Sequence, residues 1–500
     1  MKILLLEHPR SINTERCNDI ANTPLSSCLL TGYAAALLKK SGHQVTIIEG
    51  HMDGLAYSDI IAAAMAIRPD IIGVHMVYHW KRDAELFYFL EQIKAEFAPY
   101  MTAYGFYPTI AFEDILNDSG AIDSVILGEP EQTFKELADA VTCKAHNAHI
   151  EGTAVRVKSG GIMGRHRAVL KDINALPFPV RTRGMYKVPE VNIQGSRGCY
   201  GKCTFCYINP FYGAGPLWRG RDPENIVREI DEIIADEGRS DFYFTDPNFF
   251  GAGQRGRERA LQLASLLKQR GIKFGLEGRV NDIHDTTIEA LAEAGLRHIL
   301  IGLESGRDDS LRRMNKMTTV AQNENALRIL RKHGLEPNIG FIMFEPDSSL
   351  GEVRANFEFL RRNSLLENLP VTANVLYHFQ IVLRGTPAYQ GLRREGRIET
   401  SHSSYEGIAS FIHADVELLA SAMRDLTNFL FRSLNDVWSG KAQGPAGPNG
   451  RYERANRILV DTFESILNAL EKRRISKEEI DSMVRGVERE MDRALNEHMI

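Results

Sequence analysis

The chain has 500 residues, a net charge of −5 and an apolar fraction of 43%, and this length predicts two to four domains rather than one core. Basic and acidic residues are mixed along it, so charge gives no case for nucleic acid or an anionic membrane as the main partner. No apolar run reaches the ~18 residues of a spanning helix, and MKILLLEHPR lacks a signal-peptide core. Six cysteines without a paired framework are typical of a reducing compartment. We therefore expect a cytoplasmic protein.

Apolar strand-like runs alternate with helix-like stretches over the first part of the chain. The predicted strands are Ile3–Leu6, Val45–Ile48, Ile71–Val74 and Ser124–Leu127, and the predicted helices are Leu29–Lys40, Asp83–Glu96 and Glu131–Val141. Such alternation is typical of an α/β fold with a parallel, doubly wound (Rossmann-like) sheet. Ligands of these sheets bind at the carboxyl ends of the strands. We place this first domain at residues 1–142.

A second α/β region follows a break in this rhythm. Residues 143–185 contain KSGGIMGRHR and LPFPV, which predict a linker with a hairpin. The strands predicted after it are Val191–Gly195, Asp241–Thr245, Lys273–Glu277, His298–Leu303, Asn338–Phe344 and Val371–His378. These units are too few for an eight-stranded barrel and predict a partial (β/α)6 TIM-type barrel at residues 186–400. The charged region 401–500, interrupted by GPAGPNG, predicts a mostly helical extension.

Three of the six cysteines are crowded into SRGCYGKCTFCYINPF, whereas Cys17, Cys28 and Cys143 are scattered. Cys199, Cys203 and Cys206 follow the pattern C-x3-C-x2-C, directly after the first predicted barrel strand, on the face where such barrels hold their chemistry. Thiolates favour soft metals. Three thiolates on a [4Fe–4S] cluster leave one iron open to a small molecule. The alternative is a zinc site whose fourth ligand lies elsewhere.

This loop, with Phe205 before its last cysteine, resembles that of the radical S-adenosylmethionine (SAM) superfamily. The resemblance implies that the open iron binds the amino and carboxylate groups of SAM. One electron from the cluster then cleaves SAM to methionine and a 5′-deoxyadenosyl radical. The protein positions the reactants and excludes water.

Further stretches resemble the same family in the same order along the chain. YFTDPNFF resembles the second-strand segment near the methionine amino group, with Asp246 and Asn248 as candidates. GLEGRVNDI places Arg279 where a guanidinium pairs with the SAM carboxylate. LIGLESG offers Glu304 and Ser305 to the ribose hydroxyls. GFIMFEP resembles the glycine-rich fifth strand, although Phe344 stands where the family often has a small residue.

The first domain resembles the cobalamin-binding domain of the cobalamin-dependent branch of this superfamily. NTPLSSCLLTGYAAALLKKSGHQVTIIE is similar to its turn, helix and second strand, and AYGFYPTI and ILGEPEQTF to its later turns. The resemblance implies that cobalamin is lined by Gly105, Pro108, Thr109, Gly128, Glu129 and Thr133. The alternative is a nucleotide-type domain of the same doubly wound class.

Two other stretches resemble binding motifs of different sites, but neither fits its motif fully. EGHMDG nearly matches a motif whose histidine binds cobalt, but it follows the second strand and has Glu for Asp, so we interpret His51 as a loop residue. Residues between His75 and Trp80 would then face the lower side of the cobalamin. GAGQRG, starting at Gly251, matches a dinucleotide fingerprint, but it doesn't directly follow its strand.

Together the two resemblances imply a cobalamin-dependent radical SAM methyltransferase. It would move a methyl group from SAM, through methylcobalamin, to an unactivated carbon, less often phosphorus, of a small-molecule or natural-product intermediate. The expected partners are this substrate and a reductant such as flavodoxin or ferredoxin. The alternatives are a cobalamin-dependent cyclase or rearrangement enzyme and a non-catalytic iron–sulfur or cobalamin-binding protein. Residues from Ser401, with Tyr405, His413 and Trp438, are expected to bind substrate, although helical packing explains these aromatic residues equally well.

Overall fold

The computed structural model describes residues 1–9, 29–76, 83–143, 150–213, 215, 217–399, 406–434 and 450–496. Within these ranges, no helix combines the length and the hydropathy needed to cross a bilayer. The strands of the first unit are β1 Lys2–Glu7, β2 Gln44–Glu49, β3 Ile71–His75, β4 Tyr100–Tyr104, β5 Ser124–Ile126, β6 Thr153–Arg156 and β7 Ile162–Gly164. Its helices are α1 Leu29–Lys40, α2 Tyr57–Ile67, α3 Asp83–Phe97, α4 Phe106–Asp118 and α5 Pro130–Thr142.

The first unit is the doubly wound sheet that the sequence predicts. Its strand order is β2-β1-β3-β4-β5-β6-β7, and β1 to β5 run parallel. Alternate strand residues pack against helices on opposite faces, since Leu4 and Leu6 lie in one buried cluster and Ile3 and Leu5 in another. This two-sided burial is why the strands read as continuous apolar runs. The carboxyl ends of five strands therefore meet along one edge.

The hairpin predicted within residues 143–185 is formed by β6 and β7. It pairs antiparallel with β5, so the first sheet extends as far as Gly164. The sheet thus continues beyond residue 142, and the segment after Gly164 leads to the second unit. The segment after the hairpin brings Leu170 beside the carboxyl end of β5, where its amide donates to Glu129 at 3.0 Å.

The second unit is a half-open barrel. Its strands are β8 Val191–Ile193, β9 Ser196–Cys199, β10 Leu217–Gly220, β11 Asp241–Phe244, β12 Lys273–Arg279, β13 Leu296–Glu304 and β14 Asn338–Phe341. Its helices are α6 Ile208–Tyr212, α7 Pro223–Glu237, α8 Gly253–Lys268, α9 Asp285–Ala294, α10 Asp308–Arg313, α11 Val320–Lys332, α12 Leu350–Arg362 and α13 Leu369–Tyr377. Five strands form the parallel sheet β14-β13-β12-β11-β8, and β9 and β10 form a separate antiparallel ribbon.

The sixth barrel strand predicted at Val371–His378 is wrong, because this segment forms α13. Asn368 caps it, a proline follows in its first turn, and buried residues recur at Leu369, Ala373 and Leu376. A short apolar run cannot be told from a buried helix by its periodicity alone. The sixth position is held by a single parallel bridge between Phe344 and Phe379.

The described part of the predicted extension at residues 401–500 is mostly helical, as predicted. A small sheet leads into it, formed by β15 Val382–Leu383, β16 Ile398–Glu399 and β17 Glu406–Ala409, with α14 Pro387–Arg394 between β15 and β16. Three long helices follow: α15 Ala414–Ser433, α16 Gly450–Glu471 and α17 Lys477–Asn496. They share the barrel's hydrophobic core, where Phe463 stacks on Phe357 with ring centroids 4.8 Å apart.

Candidate functional site

The three clustered cysteines lie on one loop that starts at the end of β9. Cys199 and Cys203 are buried, and Cys206 is half-buried. The loop needs glycine at its start, because Gly198 has a φ of +77° and a Cβ there would lie 2.0 Å from the carbonyl oxygen of Leu217. Phe205 is half-buried in the turn between the second and third cysteines. The structure therefore places the three predicted metal ligands on one loop.

The thiols of this loop face cationic side chains. Arg279 donates from Nη1 to the Sγ of Cys203 at 3.4 Å. Burial acts to lower the pKa of Arg279, but the charges of Cys203 and Cys199 outweigh it and the pKa is raised. Burial raises the pKa of Cys206 to about 12. A bound metal centre is needed to keep such thiols deprotonated at neutral pH.

The chemistry of the loop fits an iron–sulfur cluster. It offers three soft thiol ligands and a neighbouring guanidinium that offsets thiolate charge. In the part of the chain that the structure describes, no three His, Cys, Asp or Glu side chains are close enough to share one metal ion. A [4Fe–4S] cluster instead spreads its thiolates over separate irons.

Asp246 and Asn248 follow β11 and are fully buried. Asp246 accepts hydrogen bonds from the amide of Gly195 at 2.7 Å and the hydroxyl of Ser196 at 3.0 Å. Its carboxylate therefore holds the backbone that leads into the cysteine loop. Asn248 donates to Asp282 at 3.1 Å, and its Oδ1 is buried with no hydrogen-bond partner among the described residues.

The end of β13 carries Glu304 and Ser305. Glu304 has a φ of +63° and accepts a hydrogen bond from Lys316 at 2.7 Å. A Cβ at Gly302 would lie 2.3 Å from Glu304 Oε1, and one at Gly340 would lie 3.6 Å from Oε2. These glycines are paired across β13 and β14, and their lack of side chains lets the carboxylate lie against the two strands. Ser305, in contrast, donates to Asn356 at 2.8 Å, which engages its hydroxyl within the fold.

The glycines predicted in the first domain form linked turns at the carboxyl ends of β4 and β5. Gly105 and Gly128 have φ of +119° and +79°. The hydroxyl of Thr109 donates to the carbonyl oxygen of Gly105 at 2.7 Å and accepts from the amide of Gly128 at 3.0 Å. A Cβ at Gly128 would approach the carbonyl oxygen of Phe211 to 3.0 Å. One threonine therefore joins both turns, and the second turn touches the helix after the cysteine loop.

The other residues predicted to line cobalamin have different surroundings. Pro108 is buried in the first turn of α4. Thr133 is buried and accepts a hydrogen bond from Arg167 at 3.2 Å. Glu129 bonds to two arginines of the β9–β10 ribbon rather than facing open space.

A buried network of ion pairs joins the two units, and we call it the clasp; it consists of Glu129, Glu131, Arg197 and Arg219. Arg197 is 1% exposed and binds Glu129 at 2.8 Å and Glu131 at 2.6 Å. Arg219 binds Glu129 at 2.9 Å. Burial acts to raise the pKa of Glu129, but Arg197 and Arg219 outweigh it and the pKa is lowered. Both glutamates lie at the start of α5, where the helix dipole favours negative charge.

Aromatic packing seals the same junction. Phe106, the residue after Gly105, contacts Phe211 with ring centroids 4.1 Å apart and Tyr207 edge-on at 5.0 Å. Cys199 belongs to this apolar cluster, together with Leu30 from α1. The glycine turns of the first sheet and the helix that follows the cysteine loop therefore pack against each other through apolar side chains.

Several other predictions concern residues away from this junction. His51 lies in the turn after β2, as predicted. Cys143 is exposed at the end of α5. His413 precedes α15. Cys17, Cys28, Tyr405, Trp438 and residues 77–82 lie outside the described residues.

Sequence reasoning missed Lys316 and the two arginines of the clasp. Arg197 and Arg219 sit inside short strands, where a charged residue signals a buried partner. The acidic pair Glu129 and Glu131, which flanks a proline at a helix start, was the matching signal. Lys316 gives no signal of this kind, because the loop that buries it looks polar in sequence.

Residues 193–360 match the model of the Radical SAM superfamily. An uncharacterized methyltransferase of Pyrococcus horikoshii is 27% identical over 373 residues, which cover 72% of this chain and 78% of the relative. The 4′-phospho-dehydrooxetanocin synthase of Priestia megaterium is 26% identical over 384 residues, or 69% of this chain and 50% of the synthase. The cytidylyl-2-hydroxyethylphosphonate methyltransferase of Streptomyces wedmorensis is 22% identical over 390 residues, or 66% and 72%.

Two solved proteins share the fold over nearly the whole chain. The cobalamin-dependent SAM radical enzyme OxsB, with aqua-cobalamin and SAM bound, matches with a TM-score of 0.80 at 20% identity, covering 100% of this chain and 81% of OxsB. The radical SAM methyltransferase TsrM of Kitasatospora setae, with tryptophan and a SAM analogue, matches with a TM-score of 0.68 at 14% identity, covering 97% and 99%. The arrangement of the two units is therefore that of these proteins.

Replacing Arg197 by Met should destabilise the chain strongly, because the change leaves two buried carboxylates without their shared cation. We expect the free energy of unfolding to fall by roughly 3–5 kcal/mol. The matched control is Arg312→Met, because Arg312 forms an exposed pair with Asp309 and should cost less than ~1 kcal/mol. Denaturant unfolding of the cluster-free chain measures both. Equal losses in the two variants would contradict a structural role for the clasp.

The free energy of unfolding should depend on pH because of Asp246. Burial raises the pKa of this carboxyl from 3.8 to about 6. The native state therefore binds the proton more tightly than the unfolded state does, which stabilises the native state below pH 4. This stabilisation is lost as the pH rises through 6. Relative to Asp246→Asn, the free energy of unfolding of the wild-type chain should fall by about 2 kcal/mol between pH 4 and 7. Urea denaturation of both forms across that range tests this, and a constant difference would refute it.

Proposed function

We propose that the chain is a cobalamin-dependent radical SAM methyltransferase, because residues 193–360 match the Radical SAM superfamily and the fold is that of OxsB and TsrM. Its methyl acceptor would be an unactivated carbon, less often phosphorus, of a small-molecule or natural-product intermediate. The observation that carries the proposal is the junction, where the glycine turns of the first sheet contact the helix that follows the cysteine loop.

Cys199, Cys203 and Cys206 are the proposed ligands of a [4Fe–4S] cluster. When bound, cluster and SAM supply a 5′-deoxyadenosyl radical, and cobalamin supplies the methyl-group carrier. The protein's part is to hold the thiolates and balance their charge, and Arg279 does so at Cys203. The apolar surroundings of the loop keep water away from a reactive radical.

The proposed SAM site lies along the ends of β11 to β14. Arg279 would pair with the SAM carboxylate, since its guanidinium already lies against a cluster ligand. Asn248 is the stronger candidate for the amino group, because its buried Oδ1 has no partner in the described residues. Asp246 would act through the backbone that it holds. Glu304 is the candidate for the ribose, because its carboxylate lies at the end of β13 against the backbone of Gly302 and Gly340.

The proposed cobalamin site lies on the turns at Gly105 and Gly128, with Pro108, Thr109 and Thr133 beneath them. Backbone without side chains lets a large ring approach closely. Glu129 would contribute indirectly, because the clasp fixes the turn that precedes it. The same clasp holds the strand that carries Cys199, so the two cofactors would face each other across a fixed distance.

A second candidate function is a radical cyclisation or rearrangement without net methyl transfer. The similar proteins include a synthase and the anaerobic magnesium-protoporphyrin IX monomethyl ester cyclase of Rubrivivax gelatinosus, 24% identical over 339 residues. Either reaction needs a small-molecule substrate and a one-electron donor of the flavodoxin or ferredoxin type. We assign substrate contacts to the helical extension after residue 400.

Replacing Cys199, Cys203 or Cys206 by Ala should abolish SAM cleavage, since each change removes one of three cluster ligands. We expect less than ~1% of the 5′-deoxyadenosine made by the wild-type chain, with iron below the about four atoms that one cluster holds. Cys143→Ser is the control, because that thiol is exposed and remote, and it should keep iron and activity. Full cleavage by Cys203→Ala would contradict the assignment.

A methyltransferase should release two SAM products in equal amounts. Methyl donation leaves S-adenosylhomocysteine and radical formation leaves 5′-deoxyadenosine, so we expect a ratio near one to one to one with methylated product. Mass spectrometry of the reaction with a candidate substrate measures all three, and the product should gain the mass of one CH2. Full turnover without S-adenosylhomocysteine would favour the cyclase or rearrangement reaction.

A further inference from the structure

The segment after α10 reverses the usual placement of its side chains. Met317 is 58% exposed, whereas Lys316, its neighbour, is 5% exposed. Globular proteins ordinarily bury methionine and expose lysine. Asn315 and Met317 also have positive φ values, 50° and 60°, which cost roughly 1–3 kcal/mol each outside glycine. The chain accepts both costs in order to point a lysine inward.

Two hydrogen bonds tie the same segment to the cysteine loop, and a third ties it to Arg279 at the end of β12. The amide of Thr204 donates to the carbonyl oxygen of Met314 at 2.9 Å. The side chain of Asn315 donates to the carbonyl oxygen of Lys202 at 3.0 Å. Arg279 donates to the carbonyl oxygen of Lys316 at 2.5 Å. The backbone around Lys316 is therefore positioned by the loop that carries the thiols and by the arginine that contacts Cys203.

The ammonium group of Lys316 lies beside Glu304 and Gly302 at the end of β13. It binds Glu304 Oε1 at 2.7 Å with both side chains buried, and a Cβ at Gly302 would lie 2.6 Å from its Nζ. Burial acts to lower its pKa, but the charges of Glu304 and Cys203 outweigh it and the pKa is raised. Arg279 links this cation to the thiols, because it donates both to the carbonyl oxygen of Lys316 and to the Sγ of Cys203.

We propose that Lys316 is a positioning residue for the radical reaction, and that its buried charge stabilises the reduced cluster. The inference rests on the proposed function, because it assumes a [4Fe–4S] cluster on the three cysteines. Reduction adds one electron from the external donor, with no bond formed or broken and no proton moved. A fixed positive charge in a low-dielectric site favours the added negative charge. Lys316 also holds the carboxylate of Glu304 in place at the end of β13.

The test compares four variants by EPR-monitored redox titration of the reconstituted full chain. Lys316→Met removes the charge and the hydrogen-bond donor, Lys316→Gln removes the charge and keeps a donor to Glu304, and Lys316→Arg keeps both. We expect both neutral variants to lower the equilibrium constant for reduction of the cluster at least tenfold. For one electron this corresponds to a reduction potential that is lower by 59 mV. Lys316→Arg should stay within threefold of the wild-type chain.

Lys202→Met is the matched control, because Lys202 lies in the same cysteine loop but is exposed, so that solvent screens its charge. It should shift the equilibrium less than threefold. The inference is overturned if Lys316→Gln leaves the reduction equilibrium unshifted, or if Lys202→Met shifts it as much as Lys316→Gln does. Iron loss in Lys316→Arg also overturns the inference. If the neutral variants lose iron while Lys316→Arg keeps it at the wild-type potential, the charge is required and the inference stands. A wild-type chain without a [4Fe–4S] signal would instead refute the proposed function.

Discussion

The clasp is the interaction on which the geometry of this protein depends. Arg197, two residues before the first clustered cysteine, is 1% exposed and pairs with both glutamates at the start of α5. Arg219 supplies the second cation that balances them. A buried charge is tolerated only when it is paired in good geometry, and removing one partner is costly. The clasp therefore permits one mutual placement of the two sheets, because any slippage would leave a charge unpaired.

This constraint sets the distance between the two halves of the candidate site. The turn at Gly128 directly precedes Glu129, and the cysteine loop directly follows the strand of Arg197. The packing of Phe106 on Phe211 then closes the junction against water. Association of two separately folded units would leave this geometry variable, whereas reactive radicals require reactants at fixed short range.

The interior of the barrel end shows the same use of buried charge at a smaller scale. Asp246 holds the backbone ahead of the cysteine loop, and Arg279 contacts Cys203 within the loop. Lys316 forms a buried ion pair with Glu304. Each group is desolvated and each is compensated by a specific partner. Strained backbone at Glu304, Asn315 and Met317 lies in this same region, as expected where site geometry overrides local preference.

The sequence by itself determined the two α/β units, the helical extension and the cysteine loop, because these depend on local periodicity and spacing. It also indicated the glycine turns, since φ values of +119° and +79° demand that residue type. Only the tertiary structure decided that Glu129 belongs to the clasp, that Ser305 is engaged by Asn356, and that Val371–His378 is a helix. It alone revealed Lys316. The physical reason is that a charge's partner, and a short apolar run's choice between helix and strand, depend on residues distant in the chain.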